Sequence, residues 1–396
     1  MATPISMKLD APVLLGWARS AVVPRAGAFA QMAAHSIGAP VVQALLARSG
    51  VAPAAVASVV CGNALGAGGN PARMVALAAG LSERTSAFSV DTQCCSGLDA
   101  VAMGAGLLAT GQAQVVVAGG VEAWSRSPIR AHRPVTPGVS PVPYERPAFA
   151  PDPLRDPDLQ VAAARYAAQE GITRTQQDAY AMLSHAKALA WRGRMASEIV
   201  PIGAAVQDSY ARTLSADRVA RMPLEAVSDQ FSSPNVDPQA AALSRLAIAP
   251  QADGAAFAVM ATPQAAAELG AKGVVRWRGA LSMGIAPEMP MLAAIHAART
   301  LLERHGIWPS ALWGVELHDA FAVQAITFAQ QLGIAPERLN RGGGGLARGH
   351  PIGASGAISM VRLLTDLTHD APSGALGLVC IAAAGGLGSA ALIEKI

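Results

Sequence analysis

The chain has 396 residues, 52% of them hydrophobic and 14% charged, with a formal net charge of +3. That length buries a large core and suggests two or three domains, and the alanine-rich apolar share suits a tightly packed α/β protein. So small and dispersed a charge leaves no electrostatic footprint for nucleic acid or a membrane surface.

The N-terminus lacks a basic segment followed by an apolar run, so no signal peptide is expected. Pro12 to Gly16 opens as a strand, and Gly38 to Ser49 reads as a helix with Val42, Leu45 and Leu46 at helical spacing. Val56 to Cys61 is strand-like and enters a glycine-rich loop; Asn70-Pro71-Ala72-Arg73 starts the next helix, with proline tolerated in the first turn. Ser86 to Val90 reads as a short buried strand, Leu98 to Leu108 as a helix, and Gln114 to Gly120 as a buried strand. This alternation predicts an α/β sheet covered by helices on both faces.

The pattern breaks at about Ser127. From Pro128 to Pro157 there are nine prolines in 30 residues, which predicts an excursion with little regular structure. Helices resume at Leu159 to Gln169 and from Thr173 to about Arg192, the second opening with a Thr-x-x-Gln capping signal. Ser197 to Gly203 reads as a strand, Arg212 to Leu243 is weakly patterned, and Gly254 to Ala261 restores the strand pattern. Further strands are expected at Gly273 to Arg278, Gly314 to Leu317 and Ala375 to Ala382, with helices at Leu292 to His305 and Ala322 to Leu332. The stretches 100–121 and 373–393 lack charge for about 20 residues, but glycines split each into a helix or turn plus a strand, so both read as core.

One internal echo stands out. Ser96-Gly97, a helix and then Val115 to Gly120 resembles Ser355-Gly356, a helix and then Leu378 to Gly386. Two similar halves facing one another would bring their helix-start loops into one cleft.

The chemistry concentrates there. Cys61, Cys94, Cys95 and Cys380 fit neither a zinc spacing nor a secreted disulfide framework, so no metal is expected and a reducing cytoplasm is the simpler setting. Cys94 lies on the turn from a strand into a helix N-terminus, where partial positive charge favours the thiolate. Among eight histidines, His35, His132, His185, His296, His305 and His369 lie in ordinary helical, surface or loop contexts. His350 follows the glycine run Gly342 to Gly345 and opens Gly349-His350-Pro351-Ile352-Gly353-Ala354-Ser355-Gly356; so many glycines cost backbone entropy and imply close approach to a ligand. His318, in His318-Asp319-Ala320-Phe321, ends a strand just before a helix, where ligands collect in α/β sheets.

In chain order Asn70-Pro71-Ala72-Arg73, the Cys94 element, Gly119-Gly120-Val121-Glu122, the His318 block and the His350 loop resemble the thiolase superfamily over nearly the whole chain. The resemblance implies a five-layered αβαβα fold of two pseudo-equivalent βαβαβαββ halves. They correspond to 1–126, completed by about 249–270, and to 271–396, with an inserted loop domain at 127–248. It implies a homodimer or homotetramer acting on coenzyme A thioesters, with no tightly bound cofactor. Cys94 would accept the acyl group, His350 would activate it, and His318 would complete an oxyanion site. Backbone N–H groups of Cys94 and of the turn holding Gly386 and Gly388 would form the oxyanion hole of the acyl-enzyme, and Cys95 reads as packing.

The resemblance also implies a second, acid/base cysteine. One branch carries it before the final glycine turn, another within the His-Asp-x-Phe block; here those positions hold Ala382 and Ala320. Cys380 is two residues from Ala382, on the same strand face but about 6.5 Å away. A local bulge would bring it into place, and otherwise it is core. Where the family has an Asn-Ala-Ser-Gly segment contacting pantetheine, this chain reads Ala247 to Ala252, so the coenzyme A contacts stay unassigned. A thiolase-type acyltransferase is therefore expected. A decarboxylating Cys-His-His condensing enzyme and a partner-dependent or non-catalytic subunit are the alternatives.

Overall fold

The computed structural model describes residues 11–228, 239–271 and 273–396. The N-terminal residues read for a leader, and 229–238 of the weakly patterned stretch, lie outside them. The N-terminal part runs β1 (Val13–Ser20), α1 (Ala34–Ser49), β2 (Ser58–Gly62), α2 (Pro71–Ala78), β3 (Ser86–Val90), α3 (Ser96–Ala109) and β4 (Val115–Ala123). Helices α4 (Leu159–Gln169) and α5 (Arg174–Met195) follow, and then β5 (Ala252–Ala261). The C-terminal part runs β6 (Val275–Gly284), α6 (Ala293–His305), β7 (Leu312–His318), α7 (Ala322–Leu332), the single turn α8 (Gly345–Arg348), α9 (Ser355–Asp370), β8 (Leu376–Ala383) and β9 (Leu387–Lys395).

Local chemistry sets these boundaries. The Asn70 side chain accepts the Arg73 N–H ahead of Pro71, and Thr173 and Gln176 form the expected capping box on α5. Helices α1, α6 and α7 stop at Gly50, Gly306 and Gly333 in left-handed conformations.

Strands β3-β2-β4-β5-β1 form one mixed arrangement and β7-β8-β9-β6 the other, joined where Val13 and Leu14 pair with Arg276 and Val275. The two orders match. In each half a parallel block (β3, β2, β4; then β7, β8) is followed by two antiparallel strands (β5, β1; then β9, β6). The counterpart of edge strand β3 shrinks to a single parallel bridge, Val315 to Leu339. Every residue of β4 and β5 is buried, as expected of strands covered on both faces.

Three apolar clusters separate five layers. Val42, Leu45 and Val75 of α1 and α2 pack on the outer face of the first half with Phe257. Leu98, Val101 and Leu108 of α3 and Met360, Leu363 and Leu364 of α9 fill the centre between the halves. Ile295, Leu301 and Phe328 of α6 and α7 cover the outer face of the second half. The two central helices touch at their starts. A Cβ on Gly97 would lie 2.8 Å from the Gly353 carbonyl oxygen, and one on Gly356 2.7 Å from the Leu98 Cβ. The Ser-Gly echo therefore marks two helix starts that abut.

Three expectations change. Ser86–Val90 forms the expected strand, but at the sheet edge and with only Val90 buried. The strand at Ser197 to Gly203 shrinks to Ile199–Val200, paired with Arg19 and Ser20, because Pro201 has no N–H to continue the ladder. The stretch 373–393 holds parts of two strands rather than one, turning through Gly385 and Gly386 at φ 76° and 78°. Within the proline-rich excursion, Arg130–His132 and Val142–Tyr144 form a short hairpin. No described helix is long and apolar enough to cross a membrane.

Candidate active site

Between β3 and α3 the backbone is held in a sharp turn. Gln93 has φ 56°, a conformation few non-glycine residues adopt. Its N–H is taken by the Asp91 carboxylate at 3.0 Å, while the Ser96 hydroxyl accepts the Thr92 N–H at 2.9 Å and donates to the Gln93 carbonyl at 2.5 Å. Such a turn lifts Cys94 to its crest, partly exposed, and leaves Cys95 buried with its sulfur 3.6 Å from the Ile381 carbonyl. Asp99 anchors the turn by accepting from Thr92 and Ser389, each at 2.6 Å, and from Ser282.

His350 reaches Cys94 from the opposite helix start. Its Nε2 lies 3.2 Å from the Cys94 sulfur and its Nδ1 2.7 Å from the Ser355 hydroxyl oxygen. Ser355 has one proton, and donates it to the Pro351 carbonyl at 2.9 Å. It therefore accepts from Nδ1–H, leaving the Nε2 lone pair facing the thiol. Gly349, at φ 117°, lets the chain pass this point: a Cβ there would lie 2.8 Å from the Ala252 Cβ. Replacing Ser355 with alanine frees the imidazole to take the other tautomer. Alkylation of Cys94 by iodoacetamide at neutral pH should then slow roughly tenfold; an unchanged rate would contradict the relay.

The resting pair is neutral. Burial pushes the Cys94 thiol up to about 12, only partly offset by the Ala384 N–H that points at the sulfur, and burial lowers His350 to about 4. The sequence predicted a thiolate held by the helix terminus. Instead, α3 begins at Ser96, two residues beyond Cys94, and desolvation outweighs its field. Cys94 is thus an acid that needs His350 to take its proton during the reaction.

His318, at the end of β7, lies tilted against His350 with ring centroids 4.3 Å apart at 34°. It is 3% exposed, and its Nε2 is buried without a hydrogen-bond partner. Burial, with His350 and Arg348 nearby, drives its pKa well below the usual imidazole range, so it too is neutral. Gly345 leaves room for this ring, since a Cβ there would lie 2.7 Å from the His318 Cε1.

The altered segment at Ala247 to Ala252 straps these loops together. Ala249 N–H donates to the Ala320 carbonyl at 2.9 Å, and His350 N–H donates to the Pro250 carbonyl at 2.7 Å.

Cys94, His318 and His350 are therefore brought together. Cys380 is not. The β8 ladder runs unbroken from Leu376 to Ala383, without the bulge that would shift it. Cys380 sits with Leu301, Phe328 and Leu392 in the outer cluster, whereas Ile381 and Ala383 face the central helices. Its thiol is fully buried and pushed far up by desolvation. Near the final turn the Ala384 N–H, with the N–H of Cys94 itself, offsets part of the burial that raises the Cys94 thiol. Gly386 turns against Ile285 and Ala286, and Gly388 packs against Ala293 of α6, where a Cβ would lie 2.2 Å from a carbonyl oxygen. Sequence reasoning missed Gln93, Ser355 and Ala384. Only Ser355 carried a signal, its place at a helix start five residues after His350.

Among the described residues no group of three or more His, Cys, Asp or Glu is placed to hold a metal ion.

The fold and the sequence have close counterparts. Residues 13–264 match the family model described as "Thiolase, N-terminal domain", and residues 271–395 match "Thiolase, C-terminal domain". The acetyl-CoA acetyltransferase of Rhizobium meliloti is 35% identical, with 97% of this chain and 98% of the relative aligned. That of Shinella zoogloeoides is 35% identical over 97% and 99%. Among solved structures, the Acat5 thiolase of Ascaris suum in complex with coenzyme A superposes with a TM-score of 0.87 at 26% identity, covering 98% of this chain and all of the other. The acetyl-CoA acetyltransferase of Bacillus anthracis gives 0.87 at 27%, covering 98% and 99%.

Proposed function

The chain belongs to the thiolase family, and we propose on that premise that it is an acyltransferase forming or cleaving the C–C bond of a 3-oxoacyl-CoA through an acyl-Cys94 intermediate. The observation that carries this is the 3.2 Å contact between a neutral Cys94 thiol and a His350 Nε2 whose tautomer is set by Ser355.

In the cleavage direction His350 takes the Cys94 proton as the sulfur attacks the 3-oxo carbonyl. The bond to the α-carbon breaks, and the proton on Nε2 returns to that carbon, releasing an acyl-CoA and leaving Cys94 as a thioester. Coenzyme A then enters; its thiol gives its proton to His350 and attacks the thioester, and Cys94 recovers a proton as the second acyl-CoA leaves. The Ala384 N–H meets charge developing beside Cys94, and the unpartnered Nε2 of His318 meets the oxygen of the departing thioester enolate. Condensation is the reverse. His350 serves both proton transfers, and Cys380, away from Cys94, takes part in neither.

Coenzyme A thioesters as substrates draw support from the relatives' names and from the coenzyme A complex of the Ascaris suum enzyme. These names favour thiolase-type transfer over decarboxylative condensation or a partner-dependent subunit. A homodimer or homotetramer is supported by edge strand β3, which lies among the exposed Met74, Leu77, Phe88 and Met103. A nucleophile that must stay a free thiol fits the cytoplasm.

The test is cleavage of a short 3-oxoacyl-CoA by added coenzyme A, with wild type and Cys380→Ser side by side. Both should cleave it at rates within about threefold, the range of a buried substitution remote from the chemistry. Loss of cleavage in the folded Cys380→Ser protein would restore a second thiol to the mechanism. Decarboxylation of malonyl-CoA with no cleavage of the 3-oxoacyl-CoA would overturn the reaction assigned.

A further inference from the structure

The two imidazoles come from loops separated in sequence, and a third element holds both. Asp319, next to His318, is fully buried and accepts the Gly345 N–H at the start of α8, the single turn that ends at Arg348, two residues before His350. Its other oxygen accepts the Tyr180 hydroxyl of α5 at 3.0 Å. That hydroxyl in turn accepts from Asn340 Nδ2 at 3.4 Å, and Asn340 Oδ1 takes the Leu317 N–H at 2.8 Å. One turn further along α5, Ser184 accepts the Gly344 N–H at 2.9 Å. Arg348 completes the cage by donating to the Gly343 carbonyl at 2.5 Å and pairing with Glu316 at 3.2 Å. A Cβ on Gly344 would lie 2.1 Å from the Asp319 carboxylate, so the loop closes directly over that group.

We propose that Tyr180 is a positioning residue: its hydroxyl holds Asp319, and Asp319 fixes the start of α8, so that His318 and His350 keep their mutual placement beside Cys94. The catalytic meaning of that placement rests on the acyl-transfer reading above. Helix α5 thus belongs to the machinery although it contributes no reacting atom.

The link is sensitive to proton binding in a way that mere packing is not. The ionised Asp319 accepts from Gly345 on one oxygen and Tyr180 on the other, whereas protonation turns one of those oxygens into a donor and a weaker acceptor. Burial raises its pKa to about 6, against the opposing pull of Arg348 on α8 and the two donors. Lys187 of α5 also acts on it, and Glu316 acts with it on the Tyr180 hydroxyl. Below that value Asp319 protonates, the α8 anchor loosens, and His350 loses its aim. Removing the Tyr180 hydroxyl withdraws a donor that favours the ionised form, so the acid limb must move to higher pH.

The experiment follows two rates against pH in the full chain, acylation by acetyl-CoA and alkylation of Cys94 by iodoacetamide, for wild type and Tyr180→Phe. In the variant the acid limb should rise by about one pH unit. It then reacts about tenfold slower than wild type at pH 5.5, where both are below their limbs, and within about twofold at pH 8.5. Superimposable profiles, or a uniform slowing at every pH, overturn the proposal. Asp319→Asn approaches the link from its other end and decides the matter if Tyr180→Phe does not fold: the limb at about pH 6 should vanish, leaving only that of His350 at lower pH, and a limb that persists at about pH 6 overturns the proposal. A wild type that is alkylated but never acylated rejects the acyl-transfer reading while the alkylation profile still tests the positioning.

Discussion

Replacing Cys94 with alanine should abolish acyl-enzyme formation and reduce turnover by about 10⁴-fold or more, the scale on which loss of a covalent nucleophile is felt. No neighbour substitutes for it. Cys95 is the adjacent thiol, but it points into the central core toward the Ile381 carbonyl, and burial with Asp99 nearby raises its pKa well above the ordinary thiol value. Cys61 and Cys380 are fully buried in other clusters. The variant should fold normally, because alanine keeps the backbone of the turn and its side-chain bonds come from Asp91, Ser96 and Asp99. Steady-state cleavage, with the melting curve as control, checks this. Residual turnover within a hundredfold of wild type would move the nucleophile elsewhere.

His350→Ala carries the second largest effect, an expected loss of about 10² to 10⁴ in the rate of Cys94 acylation. With burial holding the thiol up at about 12, little thiolate is present at pH 7. Chemistry therefore depends on a base within reach. His318 lies tilted against His350, but no hydrogen bond joins it to the sulfur, and its Nε2 is unpartnered. Added imidazole should restore part of the rate by entering the space vacated by the ring. Single-turnover acylation monitors both. A variant as fast as wild type would show that Cys94 is activated by some other group.

Much of this was legible in the sequence, and the rest fails to show for physical reasons. Cys94, His318 and His350 announce themselves through glycine-rich or strand-end surroundings, and the Ser-Gly echo anticipated that two helix starts, 256 residues apart at Cys94 and His350, would meet. The capping box at Thr173 and the asparagine cap at Asn70 are local codes and read correctly. Strand β9 did not separate from β8, because an unbroken run of alanine, glycine and aliphatic residues carries no periodicity across the turn. The charge state of Cys94 was misread because the helix terminus is visible in sequence and desolvation is not. Tyr180 gave no signal at all. Its partner Asp319 lies 139 residues away, and a tyrosine on a helix reads as core or surface until the fold closes over it.

The most direct test of the central claim is intact-mass analysis of the wild-type chain quenched after mixing with acetyl-CoA, followed by peptide mapping. One acetyl group should appear per chain, on the peptide carrying Cys94, Cys95 and Gln93, be absent from Cys94→Ala, and be removed on adding free coenzyme A. An unmodified chain, or an acetyl group that persists in Cys94→Ala, would contradict it.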